Sequence, residues 1–545
     1  GQGTVAIGYA AYNAGTSGIG NVAVGYETLD AEDDGDQNTA IGYQALTDQT
    51  GVTGTVGNTA LGYNAGKGVV KGTRNTYIGT ESGLVASAPT AIDNVGVGAI
   101  SLKAMVSGSS NTAIGTWAAQ QMVNASKTVA IGYYTLANAL TSTDIDGSVA
   151  IGYTSQAENK TGQGNTSVGF ETLLSDVNGD FSTAIGFEAL KTQNGVDGTV
   201  ANTAIGHHAL TRLTSGTMNT AVGQASQDYN RTGVNNTSVG KESLSQLGHD
   251  DSDNNTAVGF QAMRSAGTPN NNDAKQNVAV GSKALTAILD GDDNVAVGYN
   301  AGAAITTGHS NVLLGSNAGK LSQTGLYNIA IGTDAFDAED GNGSYAIAIG
   351  LNALGATNHD DSDFNIAIGH NAVSGDNTSG MSGIVIIGQS AGVDMNSDGA
   401  NYTTGIGYEV FANLTSGQGN TAIGKHALFA EDDGDQNTAI GFEALKAQTG
   451  ITGTVGNTAL GYNAGKGVVT GTRNTYIGTE SGLVASASSA IDNVGVGAIS
   501  LKAMVSGSRN TAVGTWAAQQ MVNARDIVAI GYYTLANALT STDID

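Results

Sequence analysis

Hydrophobic and polar positions alternate in short bursts along the chain. Units such as Asn38-Thr39-Ala40-Ile41-Gly42, Asn58-Thr59-Ala60-Leu61-Gly62 and Asn111-Thr112-Ala113-Ile114-Gly115 put two branched residues on one parity and Asn, Ala and Gly on the other. A period of two is the mark of an extended strand. The first branched position accepts Thr39, Val22 or Ile366, and the second stays aliphatic as Ile41, Val24, Leu61 or Ile131. This parity is therefore expected to face the interior, leaving a smooth Ala/Gly face outside. Three or four residues beyond the Gly comes a second apolar pair, as in Ala45-Leu46, Ala189-Leu190, Ala262-Met263, Ala284-Leu285 and Ala427-Leu428. Gly sometimes replaces its second member, as in Ala65-Gly66 and Ala318-Gly319. The pair reads as an opposite wall, followed by a turn rich in Gly, Ser, Asn and Thr. Trp117–Val123 could be that wall or a short helix.

The five-residue unit recurs about 30 times, its Gly falling at 8, 25, 42, 62, 79, 98, 115 and onward to 531. Most gaps are 17 residues and none is shorter; the rest run from 18 to 22. A fixed minimum with occasional insertions describes a closed perimeter with extensible loops, which is a solenoid. The expected fold is all-β: a parallel β-solenoid of about 30 coils, one continuous body over residues 1–545. At a strand spacing of about 4.8 Å it would be a rod roughly 140 Å long. Residues 401–545 repeat 2–146 at an offset of 399, Trp117 returning as Trp516. Such a macro-repeat, and a start at Gly1 without Met or a signal peptide, suggest a segment of a longer fibrous protein.

Most units open on Asn, as at Asn75, Asn94, Asn165, Asn219, Asn311, Asn328 and Asn474. Stacked Asn side chains can bond along the axis as amide ladders do. Alternatively each Asn tolerates a turn conformation before its strand.

Composition narrows the function. Among 545 residues there are 81 Gly but only 2 Pro, which excludes collagen, and 40% are hydrophobic, which argues against disorder. The net charge of −26, with basic residues scattered singly, offers no face for nucleic acid and no patch for an anionic membrane. No apolar run is long enough to insert into a bilayer. With 0 Cys there is no disulfide framework and no thiolate metal site.

The Asn-Thr-Ala-Ile-Gly-Tyr-x-Ala-Leu pattern at Asn38–Leu46, repeated with Phe for Tyr at Asn437–Leu445, resembles two related groups. One is the head of trimeric autotransporter adhesins; the other comprises phage tail-fibre and large bacterial surface proteins. The resemblance covers essentially the whole chain. It implies a left-handed parallel β-roll, a homo-oligomer with a trimer the best guess, and an extracellular stalk or adhesin. Partners would then be further copies of the chain and, through a tip outside this sequence, a glycan or protein on a host or prey cell.

Acidic loops precede certain units and carry the candidate metal ligands. They are Asp33, Asp34 and Asp36; Asp176, Asn178 and Asp180; Asp251 and Asp253; Asp290, Asp292 and Asp293. The set continues with Asp361 and Asp363; Asp394, Asn396 and Asp398; and Asp432, Asp433 and Asp435. Carboxylate and amide oxygens on Gly-containing turns are ligands of the kind Ca²⁺ takes, so Ca²⁺ is the one cofactor expected. Residues 394–399 match the opening of an EF-hand loop, but residue 405 is Gly where that loop needs a bidentate Glu. The other reading is a solvated acidic loop that keeps a rod soluble.

Aromatic residues often follow the Gly, among them Tyr26, Tyr43, Tyr63, Tyr133, Tyr153 and Phe187. They could stack on sugars, or pack against a neighbouring coil or subunit. The 7 His, including His207, His208, His249 and His359, show no His-x-x-x-His pair, and no nucleophile elbow, P-loop or zincin motif occurs. No enzymatic role is expected. The sequence points to a stiff structural shaft, with a Ca²⁺-dependent glycan-binding solenoid as the alternative. An ice-binding array of Thr is disfavoured, because Thr39 and its equivalents share a parity with the aliphatics expected to be buried and swap freely with Val.

Overall fold

A computed structural model describes residues 2–85, 89–138, 145–246, 252–265, 272–337, 343–355, 363–375, 380–395, 400–485 and 488–537. The described residues form short strands and tight turns with no α-helix. The chain divides into two units, Gly1–Lys275 and Gln276–Asp545. Each is a parallel β-solenoid built on fifteen three-residue strands, Val5–Ile7 to Thr256–Val258 in the first and Val278–Val280 to Val528–Ile530 in the second. Successive strands pair in parallel and in strict register, for example Thr203↔Thr220, Ala204↔Ala221 and Ile205↔Val222. At about 4.8 Å per strand, fifteen strands extend roughly 70 Å.

The strands are inside out with respect to the sequence expectation. The middle residue is buried, Ala40, Ala60, Ala113 and Ala204 all at 0% exposure, whereas Ile41 and Leu61 are 37% and 44% exposed. The branched parity faces outward. Its Thr partners, Thr39 and Thr203 among them, are half-buried on the same face. The cause is the width of the coil. Leu46, Leu102 and Leu210 of the second wall fill the interior completely, with Met105, Met122 and Leu213 from the third side. Only a methyl group fits opposite them. Size, which normally marks the inward parity of a strand, here marks the outward one.

Where the middle residue is larger, the second wall shrinks to match. Tyr77, fully buried, stands where other coils have Ala, and its ring lies against Gly66, Gly83 and Gly96. The same arrangement holds Leu313 against Gly302 and Gly319. Where the wall carries a polar residue, the middle position becomes polar too: Gln156 Nε2 donates to Ser167 Oγ at 2.8 Å and Gln227 Nε2 to Ser238 Oγ at 2.9 Å. Interior volume and polarity are balanced coil by coil.

The second wall has an unusual backbone. Gln44 and Leu46 both lie in the left-handed region, at φ 51° and 49°, and Glu188 with Leu190 and His208 with Leu210 repeat the alternation. Leu at such a position is strained. Gly66, at φ 62°, occupies the equivalent site without strain, so the backbone accepts the Gly that the Tyr77 ring requires there. Trp117 and Ala119 adopt the same two left-handed conformations, so Trp117–Val123 is wall and not helix.

Asn forms a continuous spine within stretches of both units. Asn94 Oδ1 accepts the Asn111 backbone N–H at 3.0 Å and its Nδ2 at 2.9 Å, while Asn94 Nδ2 donates to the Gly108 carbonyl at 2.9 Å. The residue before each Asn, such as Gln37, Arg74 or Asp93, is the one with positive φ. The ladder explains Asn; the turn conformation belongs to its predecessor. Asn94→Ala strips a buried N–H and a buried carbonyl of partners, so a loss of about 2–4 kcal/mol is expected. Hydrogen exchange across residues 89–115 measures it. Unchanged protection there would count against the spine.

Candidate interaction surfaces

Each solenoid unit presents an outward strand face, an aromatic edge and a row of acidic loops. The strand face carries no ionisable side chain at either outward strand position, although the chain as a whole carries −26. It is an array of Thr, Val, Ile and Leu whose rungs repeat at the strand spacing. Thr166, Thr183, Thr203, Thr220, Thr237 and Thr256 make six successive Thr rungs in the first unit. The Thr rungs are therefore exposed, because the aliphatics sharing that parity are themselves outside, although Val and Ile take the same position in other strands.

Tyr9, Tyr26, Tyr43 and Tyr63 stack face to face, with ring centroids 5.0, 5.1 and 5.3 Å apart and planes within 15° of parallel. Tyr133, Tyr153, Phe170, Phe187 and His207 form a second row at 4.9–5.3 Å. Neighbouring rings occupy one another's faces, leaving edges and hydroxyls to solvent. Sugar rings bind aromatic faces, and within the rows those faces are taken. The rows contribute offset stacking of about 0.5–1.5 kcal/mol per pair between coils.

The acidic loops staple one coil to the next. Asp36 Oδ1 accepts the Ile19 N–H at 2.7 Å, and Asp34 Oδ1 accepts the hydroxyls of Thr16 and Ser17 at 2.7 and 2.5 Å. Asp33 Oδ1 accepts the Gly51 N–H at 3.2 Å. In the later copy Asp432, Asp433 and Asp435 take the same roles toward Gly450, Thr415 with Ser416, and Gln418. Asp180, Asp253 and Asp363 accept the N–H groups of Gln163, Val234 and Ser344, and Asn178 Oδ1 accepts the Thr161 hydroxyl. Asp290 and Asp292 sit in a turn where Asp293 takes φ 58°. Asp394 closes a second-wall turn. Asp251, Asp361, Asn396 and Asp398, with His249 and His359, lie outside the described residues. Among the described residues no three His, Asp or Glu converge as a metal cage. His207 and His208 stack at 3.9 Å, and His208 Nε2 meets Glu188 Oε2 at 3.1 Å.

Asp176, expected among the loop ligands, points instead into the core, together with two carboxyls that motif reasoning missed, Glu32 and Glu431. Glu32, Asp176 and Glu431 occupy the core column three residues after the second-wall Leu, where Met105 and Leu213 stand in other coils. Asp176 Oδ1 accepts the Gly179 N–H at 3.0 Å and Oδ2 accepts Gln193 Nε2 at 3.1 Å. Glu431 Oε1 accepts the Gly434 N–H at 2.7 Å and Oε2 is bonded to Gln448 Nε2. Burial pushes both acids up to about 7, the hydrogen bonds from Gly and Gln offsetting it only in part.

A carboxyl raised in the folded state favours folding while it is protonated. Its contribution is full below its unfolded value near 4 and is lost as pH rises through about 7. Each site should thus cost roughly 3 kcal/mol between pH 4 and pH 8. Asp176→Asn and Glu431→Gln, which keep the shape, are expected to match the native chain near pH 4 and to exceed its melting temperature increasingly toward pH 8. Parallel melting curves at all pH values would contradict this.

One open apolar groove, lined by Leu84, Val85, Ala104 and Gln120, recurs in the later copy at Leu483, Val484, Ala503 and Gln519. Lys103 on its rim is engaged by Glu81 at 2.8 Å. Compared with family models and with curated proteins, the chain matches none. No helix among the described residues is long and apolar enough to cross a membrane.

Proposed function

We propose that this chain is a shaft segment of an extracellular fibre, an adhesin stalk or tail fibre, that assembles as a parallel homo-oligomer and holds a distal tip away from the surface bearing it. The observation that carries the reading is the unbroken repetition of load-sharing contacts between coils within each unit. Backbone bonds, the Asn spine and the acidic staples all run along the stack axis, the direction in which a shaft is pulled. The reading has no catalytic step: its chemistry is mechanical, and its specificity belongs to a tip outside this sequence. The resemblance to adhesin heads and tail fibres supports the location and the oligomer, with a trimer as the expected number.

Negative-stain images of the isolated protein together with a glycan array test the proposal. Slender, uniform particles of more than one chain that leave the array silent are expected. Glycan binding, or globular single-chain particles, would sink it. Calorimetric titration of Ca²⁺ into chelator-treated protein separates the acidic staples from true metal loops: no heat is expected from staples whose Oδ1 atoms are already engaged by N–H and hydroxyl donors.

The outward Thr rungs favour one second reading, an ice-binding face. Rigid β-branched side chains at constant spacing, free of charge, present hydroxyls and methyls as a regular lattice. Inclusion of the fluorescently labelled chain in a growing ice crystal, abolished by Thr203→Lys with Thr220→Lys, would establish it. Exclusion of the native chain from ice would end it.

A further inference from the structure

Asn followed by Gly is the dipeptide at which a chain most readily attacks itself, because Gly leaves its own N–H unshielded and lets the backbone turn onto the Asn carboxamide. Among the described residues it occurs at Asn178-Gly179 and at Asn194-Gly195. The structure treats the two oppositely. Gly179 is buried, and its N–H is donated to Asp176 Oδ1 at 3.0 Å. The Asn178 carboxamide is held at both ends, Nδ2 donating to Asp197 Oδ1 at 2.6 Å and Oδ1 accepting the Thr161 hydroxyl at 2.8 Å. Asp197-Gly198, which could cyclise by the same route, is held by that bond and by the pairing of Gly198 with Gly179. Asn194 and Gly195 are both exposed, on the extended loop between Gly186 and Gly206. Neither the Asn194 carboxamide nor the Gly195 N–H has a hydrogen-bond partner among the described residues.

Two other coils carry the same loop and show what is missing here. Thr50-Gly51 and Thr449-Gly450 stand there in place of Asn194-Gly195. Their Gly N–H is pinned by a carboxylate of the preceding coil, Gly51 to Asp33 Oδ1 at 3.2 Å and Gly450 to Asp432 Oδ1 at 2.8 Å. The residue in register with Asp33 and Asp432 is Val177. Two differences thus coincide in one loop: Asn194 brings an electrophilic carboxamide, and Val177 lacks the acceptor that would occupy the nucleophile. Gly195, at φ +92°, has nothing within 4 Å of where a Cβ would lie, so a ring has room to close.

We propose that Asn194 is a self-modification site, converted by its own backbone to aspartate and isoaspartate. The Gly195 nitrogen gives up its proton and attacks Asn194 Cγ. The N–Cγ bond forms, the Cγ–Nδ2 bond breaks, and Nδ2 leaves as ammonia carrying that proton. Water then opens the cyclic imide at either carbonyl, giving aspartate or, with the main chain rerouted through the side chain, isoaspartate. Water is the only co-reactant. The product sets a new carboxylate on the loop that carries Asp197. As isoaspartate it also lengthens the main chain beside Gln193, whose Nε2 holds the buried Asp176. The site depends on neither the shaft reading nor the ice-binding one.

Peptide mapping by mass spectrometry, after incubation of the native chain at mildly alkaline pH, follows amide-to-acid conversion at both dipeptides. A protein-isoaspartate methyltransferase with labelled S-adenosylmethionine reports the isoaspartate independently. Asn194 is expected to convert at least about tenfold faster than Asn178, which reacts only when its coil opens locally. In denaturant the two rates are expected to converge. Val177→Asp, which restores the acceptor and leaves the dipeptide intact, should slow conversion at 194 toward the rate at 178. Equal rates at 178 and 194 in the folded native chain would overturn the proposal. So would a folded Val177→Asp chain that converts at 194 as fast as the native one.

Discussion

Gly206→Ala is expected to split the stack locally at a cost of about 3 kcal/mol or more. Gly206 closes the strand Thr203–Ile205 at φ +143°, outside the regions open to residues bearing Cβ. A methyl added there would sit 2.5 Å from the Gly223 carbonyl oxygen of the next coil. The coil cannot move away, because the Gly206 N–H is bonded to the Ile185 carbonyl at 2.8 Å and the Gly223 N–H to the Ile205 carbonyl at 2.8 Å. Gly186 and Gly223 meet their neighbours in the same way, at 2.3 and 2.4 Å. Backbone against backbone is what makes this Gly a fixed ruler. Gly51→Ala is the control: its φ is +70°, nothing lies within 4 Å of the added carbon, and a cost of about 1 kcal/mol is expected. Hydrogen exchange across residues 183–225 and the melting curve compare the two. Indistinguishable behaviour would refute the close-contact account.

The second large effect concerns Tyr77. Its ring fills space left by Gly83, whose added Cβ would lie 2.3 Å from Tyr77 Cδ1. Gly83→Leu alone drives a side chain into the ring and should cost about 3 kcal/mol. Tyr77→Ala alone leaves a cavity and should cost about 3–5 kcal/mol. Together they restore the Ala-and-Leu interior of ordinary coils, so the combination should recover at least about 2 kcal/mol relative to the sum. Native-state hydrogen exchange over residues 75–85 gives the three values. Additive losses would mean that the coils do not balance their volumes.

Much of this was legible. The 17-residue gap and the Ala-Leu pair beyond the Gly specify a solenoid with two walls, and the Asn before each strand left a polar spine as one of two readings. The direction in which the strands face was not. A period of two fixes which residues share a face but leaves open which face is inside, and the size of Ile41 pointed the wrong way because the lumen was already filled by Leu46. The signal that could have corrected it is the covariation at Tyr77: a bulky middle residue appears where Gly66 and Gly83 replace Leu. Glu32 and Glu431 hid among acidic loops and Asp176 passed for a loop ligand, since nothing in a run of carboxylates separates a core column from a turn except register against Met105 and Leu213. Their aim into the core depends on which way the strands face.

The most direct test is therefore thiol labelling of a chain that has 0 Cys of its own. Single Cys variants at Thr203, Ala204 and Ile205 are treated with a water-soluble maleimide under native conditions. Rapid labelling of the Thr203→Cys and Ile205→Cys chains, with the Ala204→Cys chain protected until denaturant is added, is the expected result. Protection at 203 and 205 with ready labelling at 204 would mean the coils wind with the opposite face inward.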